Sequence, residues 1–338
     1  MLSGRLWPAH PHPFTDELLS CWLVRIAHAN GLKIQTFCQQ EFGARYQIWN
    51  RDIDRAAPTW LLRHVAEHTG QSEQRVTATT LSPLQGTLFG QQNKSGQLRW
   101  ILPLNIYHRT RQGFGLQFCP HCLTSPLEPY YRRAWRVAFY TFCPIHGVML
   151  LDRCPNCGKG VAFHRTELGH REIGDSIALN HCGTCGFDLA LANSEPIHEW
   201  DQEVFASWRR ALNLLGTPTT GTSGKDGEWL AILHHICALC VSRRLALKLC
   251  PYLCDQTSRT LLPLTAGRIA FEQRPIAERH HIIGLGWWLL QHWPDRLHTA
   301  HHEKVIRFNV LLKDFDNPPS WYEKEIAALL HTTYGVEN

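Results

Sequence analysis

The sequence predicts a mainly α-helical protein whose few β elements are confined to its centre. Apolar residues recur at three- and four-residue spacing in the N-terminal third and again beyond residue 200, the period of a helix that buries one face. Between these stretches the texture changes to Cys, Gly, Pro and aromatic residues. There, cysteines and one histidine fall in pairs separated by two residues, a spacing that reads as metal-binding turns in a chain without signs of export. Three domains follow: 1–98, 99–195 and 196–338.

In the first domain, Pro11 and Pro13 punctuate the chain and Thr15 and Asp16 are N-cap candidates. Leu18, Leu19, Trp22, Leu23 and Ile26 then run at helical spacing to a stop at Asn30-Gly31. A second short helix is predicted from Ile34 to Phe42, which gives the pair helix-turn-helix proportions. The pattern recurs between Trp60 and Leu81, with Leu61, Leu62, Val65 and Ala66 in one helix, Thr69-Gly70-Gln71 as the turn, and Ser72, Arg75 and Val76 in the next. Each unit reads either as a DNA-reading helix-turn-helix or as two ordinary packed helices, since neither second helix combines Arg, Asn and Gln. In the last domain a helix is expected from Gln202 to Leu214, then a flexible loop over 216–227 rich in Gly, Thr and Ser. Trp229 to Leu249 reads as one continuous helix and His280 to His292 as another, ended by Trp293-Pro294. Further helices are expected near Lys304–Leu312 and Trp321–His331.

The central pairs are Cys119 and Cys122, Cys143 and His146, Cys154 and Cys157, and Cys182 and Cys185. A Cys-x-x-Cys or Cys-x-x-His turn points two side chains at one face of a tetrahedron, so two turns complete a four-coordinate zinc site. Eight ligands make two Zn2+ ions. Chain order favours Cys119, Cys122, Cys143 and His146 in one site and Cys154, Cys157, Cys182 and Cys185 in the other, although a cross-braced pairing satisfies the same spacing. With every position filled by protein, neither site leaves room for an activated water, so both ions read as structural. The fold class is thus mainly α with small zinc-ribbon or zinc-finger β elements. Cys237, Cys240, Cys250 and Cys254, within or beside an apolar helix, read as buried packing residues.

Composition narrows the function. The chain of 338 residues has 34 Lys and Arg against 29 Asp and Glu, a net charge of +5 that permits nucleic-acid contact without requiring it. No apolar run approaches the ~20 residues of a membrane span. The segment Met1 to His12 lacks the features of an export signal, so a bacterial cytoplasmic protein is expected. Phosphate loops, dinucleotide fingerprints, H-E-x-x-H and G-x-S-x-G motifs are absent, and a non-enzyme is expected. Asp52 and Asp54 in N-R-D-I-D-R read as salt-bridging or helix-capping residues beside their flanking arginines. Arg132, Arg133 and Arg136, between the first site's two turns, are with Arg75 the candidates for phosphate contacts; a solvated charged face is the other reading of the three. The 13 tryptophans exceed what one small core needs, which marks some as interface anchors.

Several motifs resemble one family. P-F-T-D-E-L-L-S-C-W-L-V-R-I-A-H-A-N-G-L near the start, N-R-D-I-D-R, W-I-L-P-L at Trp100–Leu104 and the cysteine series through C-G-T-C-G-F-D-L are similar to TniQ, a family that includes the TnsD target selectors of heteromeric transposons. The resemblance runs from about residue 11 to 190, with a weaker element in W-P-D-R-L at Trp293–Leu297. It implies a non-catalytic adaptor in DNA transposition target-site selection. Such an adaptor links a target-recognition module, a guide-RNA Cascade complex or target DNA, to the AAA+ regulator TnsC and so to the transposase. It also implies a possible homodimer, as in CRISPR-associated transposons, and places the family's zinc ligands on the eight residues above. The alternative is a direct, sequence-specific DNA-binding selector of TnsD type.

Overall fold

A computed structural model describes residues 6–45, 47–90, 96–104, 113–124, 128–165, 178–216 and 224–333. Among them the protein is mainly helical, with 13 α-helices and one two-stranded sheet. The chain divides into two compact units, one of Met1–Gln85 with Gln91–Ile197, the other of Gly86–Gly90 with His198–Asn338.

The first unit opens with α1 (Leu19–Ala29) and α2 (Ile34–Phe42), separated at Asn30-Gly31 as the spacing predicts. α1 is buried along nearly its whole length, from Leu19 to Ala27. A helix start so deep in the protein needs partners for its free N–H groups, and they come from distant chain. Leu19 donates to the Thr79 carbonyl and Ser20 to the Asp54 carboxylate, at 2.9 and 2.8 Å. Thr15 and Asp16 are therefore not the caps: Leu18 occupies the N-cap position without a side-chain bond, and Asp16 pairs with Arg132. Then come α3 (Ile53–Ala56), α4 (Thr59–Thr69) and α5 (Glu73–Thr77). Gly70 closes α4 in the left-handed conformation, and the Ser72 hydroxyl accepts from the Arg75 N–H to start α5.

The rest of this unit has little regular structure. It contributes α6 (Pro120–Leu123), β1 (Phe142–Cys143) and β2 (Val148–Met149), with Phe142 opposite Met149 and Cys143 opposite Val148 in the antiparallel pair. Phe118, Tyr131, Trp135 and Phe139 are fully buried around them. The buried Gln117 amide donates to the carbonyls of Trp135, Val137 and Tyr140, satisfying a loop that lacks a ladder of its own.

The second unit contains α7 (Gln202–Asn213), α8 (Gly224–Cys240), α9 (Ala246–Gln256), α10 (Ile276–Leu290), α11 (Asp295–His302), α12 (Phe308–Leu312) and α13 (Ser320–Thr333). α8 from Leu230 onward and α10 from Glu278 onward are buried on nearly every side, the mark of helices at the centre of a bundle. Gly284 and Gly286 let them come close to their neighbours: a Cβ at Gly284 would lie 1.9 Å from the Trp200 ring, and one at Gly286 2.9 Å from Leu233. Asp201 caps α7 by accepting from the Val204 N–H.

Three expectations change here. Residues 224–227, read as part of a flexible loop, form the first turn of α8, while 217–223 lie outside the described residues. The helix expected from Trp229 to Leu249 is two, because Ser242 interrupts it: its hydroxyl and its carbonyl accept from Leu245 and Ala246, and so open α9. Pro294, read as a terminator, also begins α11 as its N-cap residue.

Candidate metal centres

Each cysteine pair sits on a tight turn whose backbone follows from its sequence. Cys119 precedes α6 and Cys122 lies within it, with Pro120 in the first turn where a missing N–H costs nothing. The other three turns close through a residue-to-residue bond across four positions: Gly147 to Cys143, Gly158 to Cys154 and Gly186 to Cys182. All three glycines have φ between +65° and +72°, a region that costs glycine little and other residues more. Pairing of Phe118 with Leu151, just after β2, brings the first two turns together. Bridges between Arg153 and Gly160 and between His181 and Asp188 fold the other two.

The result is two clusters with the sequential pairing. In the first, the sulfurs of Cys119, Cys122 and Cys143 lie 3.5, 3.3 and 3.5 Å from His146 Nδ1, and the Cys122 and Cys143 sulfurs are 3.7 Å apart. In the second, Cys154 faces Cys185 and Cys157 faces Cys182, both at 3.7 Å. A tetrahedral ion with metal–sulfur bonds of about 2.3 Å and metal–nitrogen bonds of about 2.0 Å has edges of about 3.8 and 3.5 Å. The spacing of both clusters matches. Either cluster could hold a metal ion, and donor sets of three thiolates with one imidazole, and of four thiolates, are compatible with zinc.

Electrostatics prepares both clusters. Hydrogen bonds from the Cys119 and Cys122 thiols pull the Cys143 thiol down to about 2. At Cys185 burial acts upward, but the Asn156 amide, the Phe187 N–H and the neighbouring thiols bring it down to about 6. The other thiols of the same clusters, Cys119, Cys122, Cys154 and Cys157, shift the opposite way, up from the ordinary thiol value, so within each cluster the protons are shared. The first cluster is the more enclosed, with all three cysteines buried; in the second, Cys157 is half-buried and Cys185 exposed. Cys237, Cys240, Cys250 and Cys254 are buried, and no metal-capable group among the described residues includes them.

The candidate phosphate-binding arginines separate. Arg136 is fully buried, a correction to its reading as a phosphate contact: its guanidinium holds Asp52 bidentately at 2.6 and 3.1 Å and bonds the Leu102 carbonyl. Asp52 also caps α3, and Asp54, whose carboxyl burial raises to about 6, caps α1. N-R-D-I-D-R is therefore a junction of helix starts, with the capping expected of it, while its ion pairs go to the distant Arg136 instead of a flanking arginine. Arg132 is half-buried, bonded to both oxygens of Asp16 and lying over the Tyr130 ring at 4.7 Å. Arg75 is exposed and lies near the half-buried Arg133, whose pKa is lowered by burial and, in part, by Arg75.

Two clusters of four protein ligands each are the arrangement of structural metal sites, whereas metal hydrolases keep a coordination position open. The TniQ family model matches residues 8–150, a stretch with both helical pairs, the Asp52–Asp54–Arg136 junction and the whole first cluster. Residues 8–150 thus belong to the TniQ family, a non-catalytic accessory family of transposition, and this domain implies a role in transposition target selection. The second cluster lies beyond the matched residues. No curated protein matches the chain. No helix among the described residues is long and apolar enough to cross a membrane.

Proposed function

We propose that the protein is a non-catalytic adaptor of transposition target selection, connecting a target-recognition module, a guide-RNA Cascade complex or target DNA, to a TnsC-like AAA+ ATPase. The observation that carries this reading is the TniQ domain over residues 8–150. The two clusters hold structural zinc in this reading: Cys119, Cys122, Cys143 and His146 bind one ion, and Cys154, Cys157, Cys182 and Cys185 the other. Four protein ligands around each ion leave it no substrate position, so the work falls to the surfaces that the ions fix in place.

A direct DNA-binding selector of TnsD type is the second reading. It rests on the exposed Arg75, which lies near Arg133 and could reach a phosphate, with Asp16 offsetting part of the charge there. Co-purification with the TnsC-like ATPase of the same element separates the two. The adaptor forms that complex without added target DNA and binds free DNA weakly, with steep salt dependence. Tight binding to one DNA sequence, lost in Arg75→Ala and Arg133→Ala, with no complex with the ATPase, overturns the adaptor in favour of the selector.

A further inference from the structure

A third group of metal-capable side chains lies among the N-terminal helices and shares no residue with either cysteine cluster. Glu41 is in the last turn of α2, and His64 and His68 are one turn apart on α4, so that neighbouring positions i and i+4 share a face. One ligand atom from each of the three lies within 4.8 Å of the other two. We propose that Glu41, His64 and His68 form a third metal site, for a first-row divalent cation of the zinc type.

The surroundings of the three residues are those of a supported site. The His68 Nδ1 lies 2.8 Å from the His64 carbonyl, and a carbonyl only accepts, so the proton sits on Nδ1 and the Nε2 lone pair is left for a ligand. A backbone bond of this kind fixes the tautomer of metal-binding histidines. Trp7 donates its indole N–H to Glu41 Oε2 at 2.7 Å, which orients the carboxylate. His64 Nε2 is shielded from solvent and has no hydrogen-bond partner; Glu41 Oε2 is 3.7 Å away, beyond hydrogen-bond reach. A buried imidazole nitrogen with no bond lacks a partner, and a cation supplies one.

The two rings are stacked, with centroids 4.1 Å apart and planes 18° from parallel. About an ångström of side-chain adjustment brings the three donors to the edge lengths of a tetrahedral site. Glu41 and His64 are each about a quarter exposed, which leaves a route for the ion. Two imidazoles and one carboxylate leave a fourth position, filled by water or by a side chain of a partner. Imidazole donors suit zinc, copper and nickel and do not suit magnesium or calcium. The ion ties the end of α2 to α4 and, through Trp7, to the N-terminal segment.

Metal stoichiometry tests the site. The full-length protein, purified with its cysteine clusters loaded, is dialysed to equilibrium against a small excess of Zn2+, and bound metal is counted by inductively coupled plasma spectrometry. The wild type is expected to hold one equivalent more than His68→Ala and one more than Glu41→Gln, a variant that keeps an acceptor for Trp7. Added Zn2+ is also expected to raise the thermal unfolding midpoint of the wild type and not of Glu41→Gln. Equal metal content in wild type and both folded variants, whatever its absolute value, overturns the site. Should His68→Ala fail to fold, the Glu41→Gln comparison decides alone.

Discussion

In the first unit the described residues between Trp100 and Ile197 have strands only two residues long and helical turns of three or four, with eight metal-capable ligands drawn into two clusters. In the second, α8 and α10 bury Leu230, Leu233, Ile236, Ile283, Leu285 and Leu289; Gly286 brings the two helices close, and Gly284 makes room for Trp200. Regular structure with an apolar face stabilises itself through burial. The loops around the clusters bury aromatic side chains such as Phe118 and Trp135 but have almost no ladder, because each knuckle turns its backbone back on itself. Two four-ligand clusters stand where the ladder is missing in one unit, and shape complementarity suffices in the other.

The largest effect expected from this contrast follows loss of a cluster. Cys122→Ser, or stripping with a strong chelator, removes binding free energy on the order of 10 kcal/mol. It unfolds the stretch around the clusters while helices of the second unit persist, seen as hydrogen exchange that rises in 113–165 and stays low in 276–290. Retention of both the metal content and the unfolding midpoint in Cys122→Ser breaks the contrast. A second effect belongs to the helical unit. Burial lowers His280 to about 4, so its neutral form contributes stability that is complete above pH 6.5 and is lost as pH falls toward 4. His280→Gln flattens that acid limb by about 3 kcal/mol or less. Urea titrations from pH 7 to 4 isolate it, because metal loss is common to both proteins. A third effect of similar size, about 1–3 kcal/mol, is overpacking by Gly284→Ala against Trp200. An unchanged melting temperature in that variant shows that α10 has room the close approach denies.

Local chemistry was the most legible part of the sequence. Asn30-Gly31, Gly70 and Ser72 mark helix ends through backbone conformation and capping, and the structure ends helices there. The two-residue spacing of the cysteine pairs is equally local, and the sequential arrangement of the clusters follows chain order. Long-range pairing was not legible. Arg136 lies in Y-Y-R-R-A-W-R, which reads as a charged surface, and the aspartates that bury it are 82 and 84 residues away. Ser242 broke an apolar helical run because one hydroxyl and one carbonyl redirected the chain, a choice that periodicity does not register. His64 and His68 show the i, i+4 spacing of a metal-binding helix face. Glu41, which completes the group, belongs to another helix and carries no signal of its own.

The unthreaded order of the clusters bears on how the protein is made. Ligands of the first cluster span 27 residues and those of the second 31, and neither loop encloses a ligand of the other. Closing short loops costs little chain entropy. As the chain leaves the ribosome, His146 emerges before Cys154, so the first donor set is complete before any donor of the other is available. Synthesis itself sorts eight competing donors into two groups, a task that an interleaved arrangement leaves to chance encounters among half-built sites.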